Sequence, residues 1–403
     1  VSRGIRIPMT GRAPDQPHRA ASPLELLFDL TFVVAIASLT LELAHGIAEG
    51  HPSVAAFLLV FFTIWWAWVN FTWFASAYDT DDVPYRLLTM LQMAGVLVLA
   101  AGVPAAVEHA DYRAITVGYL VMRLGLVAQW LRAGIEHPDG RATAFRYAAG
   151  ISLVQVGWLL RLLLVETAVL PEGSLLPVFL VLVALELAVP RWAEANRRTD
   201  WHPHHIAERY GLFTIIILGE SVLAASTGLR AAVESGDLDW RVVSVAVAAL
   251  VLLFALWWLY FLEPAGEGLA RRRHAAFLWG YGHFGVFAAL AAVGAGLEVA
   301  LEWTAHHLDV SAGAVAAAVC LPVGSFLVLL WAVHVPLLSR PVIHPGLTLG
   351  AAGVVLLLPL GAGFLGVAAV VWAAAAVSSA VVLTTVLASS RRTGPDPQVA
   401  AHS

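Results

Sequence analysis

The stretch Glu25-Leu-Leu-Phe-Asp29-Leu-Thr-Phe-Val-Val-Ala-Ile-Ala-Ser38 heads an apolar run over 23–47. About 20 apolar residues in helical form cross a ~30 Å hydrocarbon core, so this run is long enough to span a membrane. Eleven more stretches repeat the pattern, at 53–78, 85–107, 113–135, 143–167, 174–194, 204–226, 241–263, 271–296, 312–335, 345–362 and 364–389. The last two are divided at Gly361-Ala-Gly363, because 341–390 is otherwise one uncharged run too long for a single crossing. The 403-residue chain is 60% hydrophobic and 13% charged, with a mean hydropathy of +0.79. A soluble domain carries about 25% charged residues. The sequence therefore predicts an all-α polytopic bundle of about 12 spans and excludes a soluble enzyme or a disordered chain. A net charge of -5 without a basic patch speaks against a nucleic-acid partner. The lone Cys320 excludes an intrachain disulfide.

Arginine supplies every basic residue, and its distribution predicts orientation. With the N-terminus inside, the inner segments hold 17 arginines (Arg3, Arg12 and Arg19 in the N-terminal tail, Arg340 and Arg391 near the C-terminus), and the outer segments hold 3 (Arg113, Arg230, Arg241). Three more, Arg123, Arg161 and Arg209, fall within spans. The expected topology is N-in and C-in, with the bilayer of the cell's inner (plasma) membrane as surroundings. The expected organisation is a cytoplasmic tail over 1–22, a six-helix repeat over 23–200, a second over 201–389 and a disordered tail over 390–403. The repeat rests on two matches. Glu25, Thr31 and Ser38 align without a gap to Glu208, Thr214 and Ser221, and Trp65-Trp66 in span 2 answers Trp257-Trp258 in span 8. Copies six spans apart enter from the same side, which is a parallel repeat.

Charged residues at membrane depth cost roughly 2.5–3.5 kcal/mol each on insertion scales, so they seek partners or line cavities. Glu25 and Asp29 lie four apart on one helical face. Asp79, Asp81, Asp82 and Arg86 gather at the same membrane face, and span 7 opens there with His205, Glu208 and Arg209. Glu220 lies three turns beyond Arg209, and Arg123 sits in the middle of span 4. These eleven residues form the expected ion or substrate site, in which Asp29 and Glu220 each need a partner from another helix. Arg123 is the first expectation for one of them, and Arg86 or Arg209 for the other. Trp66, Asn70, Trp258, Tyr260 and His283 are the expected cavity lining. Glu25 and Glu208 also suit the positive end of a helix dipole, and Arg161 and Glu186 read as structural. The small residues at Gly350, Gly353, Gly361, Gly363 and Gly366 predict scaffold helices that pack closely on their own chain or on a second copy.

Three stretches together resemble the bacterial low temperature requirement A (LtrA) family. They are Glu25 to Ile36, His205-Ile-Ala-Glu208-Arg209-Tyr-Gly211 through Gly219-Glu220-Ser221, and Trp257-Trp258-Leu-Tyr260-Phe261. The acidic turn at 79–82 followed by Arg86 fits as well. Leu27 departs from the pattern, standing where a second aromatic is expected before Asp29. The resemblance implies a polytopic inner-membrane protein with a cold-growth role and supplies no molecular activity. Phe28-Asp29 is also similar, more faintly, to the Phe-Ser-Asp motif of a potassium-channel family, although the serine is missing. Three function classes follow. The first is a proton- or cation-linked transporter or channel for a small ion. The second is an intramembrane enzyme acting on a lipid-like or isoprenoid diphosphate substrate, with Mg²⁺ on Asp79, Asp81 and Asp82. The third is a structural membrane protein. No cofactor is expected outside the enzyme reading, and a homodimer is compatible with the small-residue helices.

Overall fold

The structure is a computed structural model and describes residues 5–13, 16, 19–236, 239–306, 308–338 and 341–392. It is 84% helix, and no described residue lies in a strand. Among the described residues, twelve helices are long and apolar enough to cross a membrane. They are α1 Pro23–Ala48, α2 Val54–Tyr78, α3 Val83–His109, α4 Arg113–Glu136, α5 Pro138–Glu166, α6 Glu172–Ala193, α7 Pro203–Arg230, α8 Trp240–Arg271, α9 Arg273–Ala305, α10 Ala312–His334, α11 Pro345–Leu365 and α12 Val367–Arg391. Each of the twelve expected stretches therefore has its helix. Arg3, Arg340 and residues 393–403 of the expected disordered tail lie outside the described residues.

Polar residues just before the apolar runs start several of these helices by accepting orphan backbone N–H groups. Asp82 accepts from Tyr85 N, Asp239 from Arg241 N and Val242 N, and Ser311 from Ala314 N. The faces invert the pattern of a soluble helix. On α5, Leu153, Val156, Leu160 and Leu163 form an exposed apolar stripe at helical spacing, whereas Trp158 and Arg161 are buried. Exposed apolar surface of this extent is what a lipid-facing wall requires.

The chain divides into two compact units. Unit 1 takes the described residues of 1–39 and 55–209, and unit 2 those of 40–54 and 210–392. The boundaries fall inside α1 and α7, where the sequence reading placed one division near 200. In unit 1, α3 and α4 approach through Gly95 and Gly118: a Cβ on Gly118 would lie 2.5 Å from Leu99 N. Gln92 donates to Gln129 (2.9 Å) and Gln129 to Thr89 (3.0 Å) along the same seam. In unit 2, Trp372 of α12 donates to Ser244 of α8 at 2.9 Å.

The last two helices depart from expectation in two ways. They part at Gly366, not at Gly361-Ala-Gly363. Gly366 has φ 79° and ψ 158°, a region essentially restricted to glycine. Within this one chain, close packing does not come from Gly350, Gly353 or Gly363, on which a Cβ would meet nothing within 4 Å. Ala351, Ala352, Ala362, Ala374, Ala375 and Ser378 are buried small residues there. Gly366→Ala should lower unfolding stability by about 1–3 kcal/mol through backbone strain, while Gly363→Ala should not. Thermal unfolding of the purified protein in detergent separates the two.

Candidate functional site

Three helices of unit 1 each contribute a pair of residues one turn apart, and the pairs mesh around one guanidinium. α1 supplies Glu25 and Asp29, α7 supplies His205 and Arg209, and α2 supplies Trp68 and Thr72. Residues four apart share a helix face, so each pair presents two polar groups to the same seam. Arg209 Nη1 lies 2.9 Å from Glu25 Oε1, and Arg209 Nη2 donates to Asp29 Oδ1 at 2.5 Å and to Thr72 Oγ1 at 3.4 Å. Trp68 Nε1 donates to the same Asp29 oxygen at 2.8 Å, and His205 Nε2 is 3.1 Å from Glu25 Oε1. Arg209, Asp29 and His205 are fully buried, and Glu25 is 1% exposed. The rings of Phe28 and Phe71, with centroids 4.0 Å apart, help to close the site.

Glu25 serves two ends at once. Its Oε2 accepts from Ser22 N at 2.7 Å while Ser22 Oγ accepts from Glu25 N at 3.3 Å, which is a reciprocal capping box. Its Oε1 is the oxygen facing Arg209. Glu25 therefore caps its helix and also meets the buried arginine. Glu208, its aligned counterpart, accepts from Ala21 N at 3.3 Å.

Two carboxylates face one guanidinium in this trio, and Asp29 Oδ2 is buried with no hydrogen-bond partner. Further positive charge stands one step away. Arg19 is buried, donates to Ala75 O at 2.7 Å, and leaves its Nε and Nη1 without hydrogen bonds. Burial and the nearby Arg12 charge lower its pKa, while Glu25 and Asp79 act to raise it. Burial, joined by the Glu25 charge, raises the pKa of Asp79.

The acidic turn is divided among separate arginines. Asp79 pairs with Arg12 at 2.8 Å, Asp81 with Arg86 at 2.8 Å and Asp82 with Arg132 at 2.6 Å. A Mg²⁺ ion on this turn would have to displace three guanidiniums, so the donor set suits arginine and does not fit the metal. Burial alone would raise the Asp82 pKa. The Arg132 guanidinium and the backbone N–H groups of Ile7 and Tyr85 outweigh it and bring the carboxyl from 3.8 down to about 2.

Arg123 belongs to a second buried network. It lies 3.1 Å from Glu186 Oε2 and bonds Tyr119 Oη, while Glu186 also accepts from Trp66 Nε1 (2.8 Å), Trp158 Nε1 (3.2 Å) and Tyr119 Oη (3.2 Å). Asp29 thus takes Arg209 from the expected candidates, and Arg123 takes Glu186, whose one sequence signal is a glutamate inside an apolar helix. In unit 2, Glu220 has no such cation among the described residues: its Oε2 is buried without a hydrogen bond, and it is felt electrostatically by Glu298. Of the expected lining residues, Trp66 is tied to Glu186, Asn70 donates to Trp66 O (2.7 Å), Tyr260 and His283 face each other (3.2 Å), and Trp258 is exposed.

A family model described as bacterial low temperature requirement A protein matches residues 20–388. The chain belongs to the LtrA family. It is also 28% identical over 310 residues to an uncharacterized protein of Rhizobium meliloti (strain 1021), covering 72% of each chain. With twelve helices among its described residues long and apolar enough to span, this LtrA chain is a multi-pass membrane protein.

Breaking a buried ion pair typically costs about 3–5 kcal/mol because a charge is left uncompensated. Arg209→Ala and Arg123→Ala should each lower unfolding stability in detergent by about that much, whereas Arg86→Ala at the exposed end of its pair should barely move the midpoint. Asp82 gives a pH signature. A depressed carboxylate pKa contributes stability that is complete above the ordinary value and fades as pH falls through the folded one. The stability difference between the LtrA protein and its Asp82→Asn variant should therefore be flat above about pH 4 and shrink toward pH 2, as followed by unfolding at a series of pH values.

Proposed function

We propose that this LtrA protein carries a proton or another small cation across the cell's inner membrane, with Glu25, Asp29 and Arg209 as its ion site. One observation carries the reading: the dehydrated trio sets two carboxylates against one guanidinium and leaves Asp29 Oδ2 unpartnered. A proton or cation arriving at Asp29 supplies the missing charge. Asp29 then loosens its hold on Arg209, which leans on Glu25; departure of the ion draws the guanidinium back. The ion is thereby exchanged against a tethered internal cation, a common use of intramembrane ionisable groups. His205, whose Nε2 lies 3.1 Å from Glu25 Oε1, is the neighbour through which a proton reaches the trio. The same reading takes the two halves as parallel repeats, with both termini in the cytoplasm.

Reconstitution tests it. Proteoliposomes containing the protein should pass protons or one cation from a panel of alkali and divalent ions, with and without an imposed proton gradient. Asp29→Asn should abolish that flux while leaving insertion and yield nearly intact. Folded, correctly inserted protein that passes none of these ions overturns the proposal, as does an Asp29→Asn variant with undiminished flux.

A further inference from the structure

At the end of unit 1 away from the acidic turn lies a cavity of about 500 Å³, lined among others by Tyr112, Arg113, Arg161, Glu166, Leu176 and Phe179. The helix ends that form it are the last turn of α3, the first turns of α4 and α6, and the last turns of α5. Arg161 lies five residues before the end of α5, or roughly 7 Å along the axis at 1.5 Å per residue. We propose that this cavity is a binding site for an oxyanion of the phosphate class, held by Arg161.

The guanidinium is what points to a ligand. Arg161 is 8% exposed, its Nε is buried without a hydrogen bond, and it makes no ion pair or hydrogen bond among the described residues. Its guanidinium carbon stands 5.5 Å from the centre of the Tyr112 ring and 5.6 Å from that of Phe179. The rings flank the cation but accept no in-plane hydrogen bonds, so the donor edge that suits a bidentate oxyanion is unused. The acids of the cavity are already engaged elsewhere. Asp111 lies 2.6 Å from Arg113 Nη2, and Glu166 is 3.9 Å from Arg113 Nε. Both acids thus lie against Arg113, and neither pairs with Arg161 among the described residues. A buried, uncompensated cation is costly, and a bound oxyanion removes that cost.

Two features refine the ligand. Leu162, Leu175 and Leu176 make part of the lining apolar, and the cavity lies where candidate spans end. Beneath Arg161 a void of about 20 Å³, lined by Thr63, Thr116, Tyr119 and Trp158, has room for one water. It leads toward Tyr119, which donates to Glu186. The proposal does not depend on ion transport.

The experiment uses the full chain, purified in a neutral, phosphate-free detergent. One arm titrates inorganic phosphate and the other a short-chain phosphatidylglycerol, with phosphatidylcholine as the zwitterionic control, and thermal stability reports binding. Either phosphate-bearing ligand should raise the midpoint saturably. Arg161→Gln should weaken the apparent affinity by about tenfold or more, as loss of a charge-assisted hydrogen bond implies, and Arg113→Gln should do so much less. A response to the anionic lipid alone identifies a headgroup, and a response to both identifies a site for the free anion. In the unaltered protein, saturating ligand should also protect Arg161 from an arginine-selective dicarbonyl reagent, read by peptide mass spectrometry; this does not require the variant to fold. No stabilisation by either ligand, unchanged affinity in Arg161→Gln, or no protection of Arg161 overturns the proposal.

Discussion

A guanidinium without water is the constraint around which unit 1 is arranged. Stripped of solvent, Arg209 is tolerable only where acceptors surround it, and those acceptors come from Glu25 and Asp29 on α1 and Thr72 on α2. The geometry is demanding because each helix contributes at a fixed four-residue spacing. A shift of α1 by one residue would rotate Glu25 and Asp29 about 100° away from the seam and strand the charge. The ion-pair trio thereby fixes helix rotation as firmly as apolar packing does, in surroundings where lipid gives helices little hydrophobic reason to associate.

α2 extends that constraint. Trp66 and Trp68 are two residues apart, so their side chains diverge by about 200° on a helix. Trp68 donates to Asp29, and Trp66 donates to Glu186 on the other side. One rigid helix therefore holds a hydrogen bond to each buried network, and rotating it to improve one would break the other. The pair of tryptophans is less a cavity lining than a double anchor between the Arg209 and Arg123 centres.

The sequence carried the architecture because hydropathy over 20 residues is a summed signal that local detail rarely reverses. The Glu25–Asp29 pair was legible because it is a periodic feature of a single helix, and His205 and Arg209 because they open span 7 at the same level. Which acid meets which arginine was not legible. Glu186 and Arg123 are solitary charges on separate helices, and nothing in their spacing says that they face each other. The break between α11 and α12 was hidden for a related reason: several glycines lie within six residues, and composition does not tell which of them adopts a positive φ. Arg161 read as a snorkelling arginine, since the sequence cannot reveal that the carboxylates near it are occupied by Arg113.

The distance between partners along the chain has a consequence for biosynthesis. Asp29 and Arg209 are separated by 180 residues. At roughly 5–20 residues per second of translation, the first helix leaves the ribosome on the order of ten to forty seconds before its counter-charge exists. Trp68 follows Asp29 by 39 residues and is available much sooner. During that interval the acids of α1 must be sheltered by protons, by indole donors or by the insertion machinery itself. Arg209 then arrives as the piece that completes unit 1, which makes the seventh helix a closing step in assembly as well as a wall of the finished site.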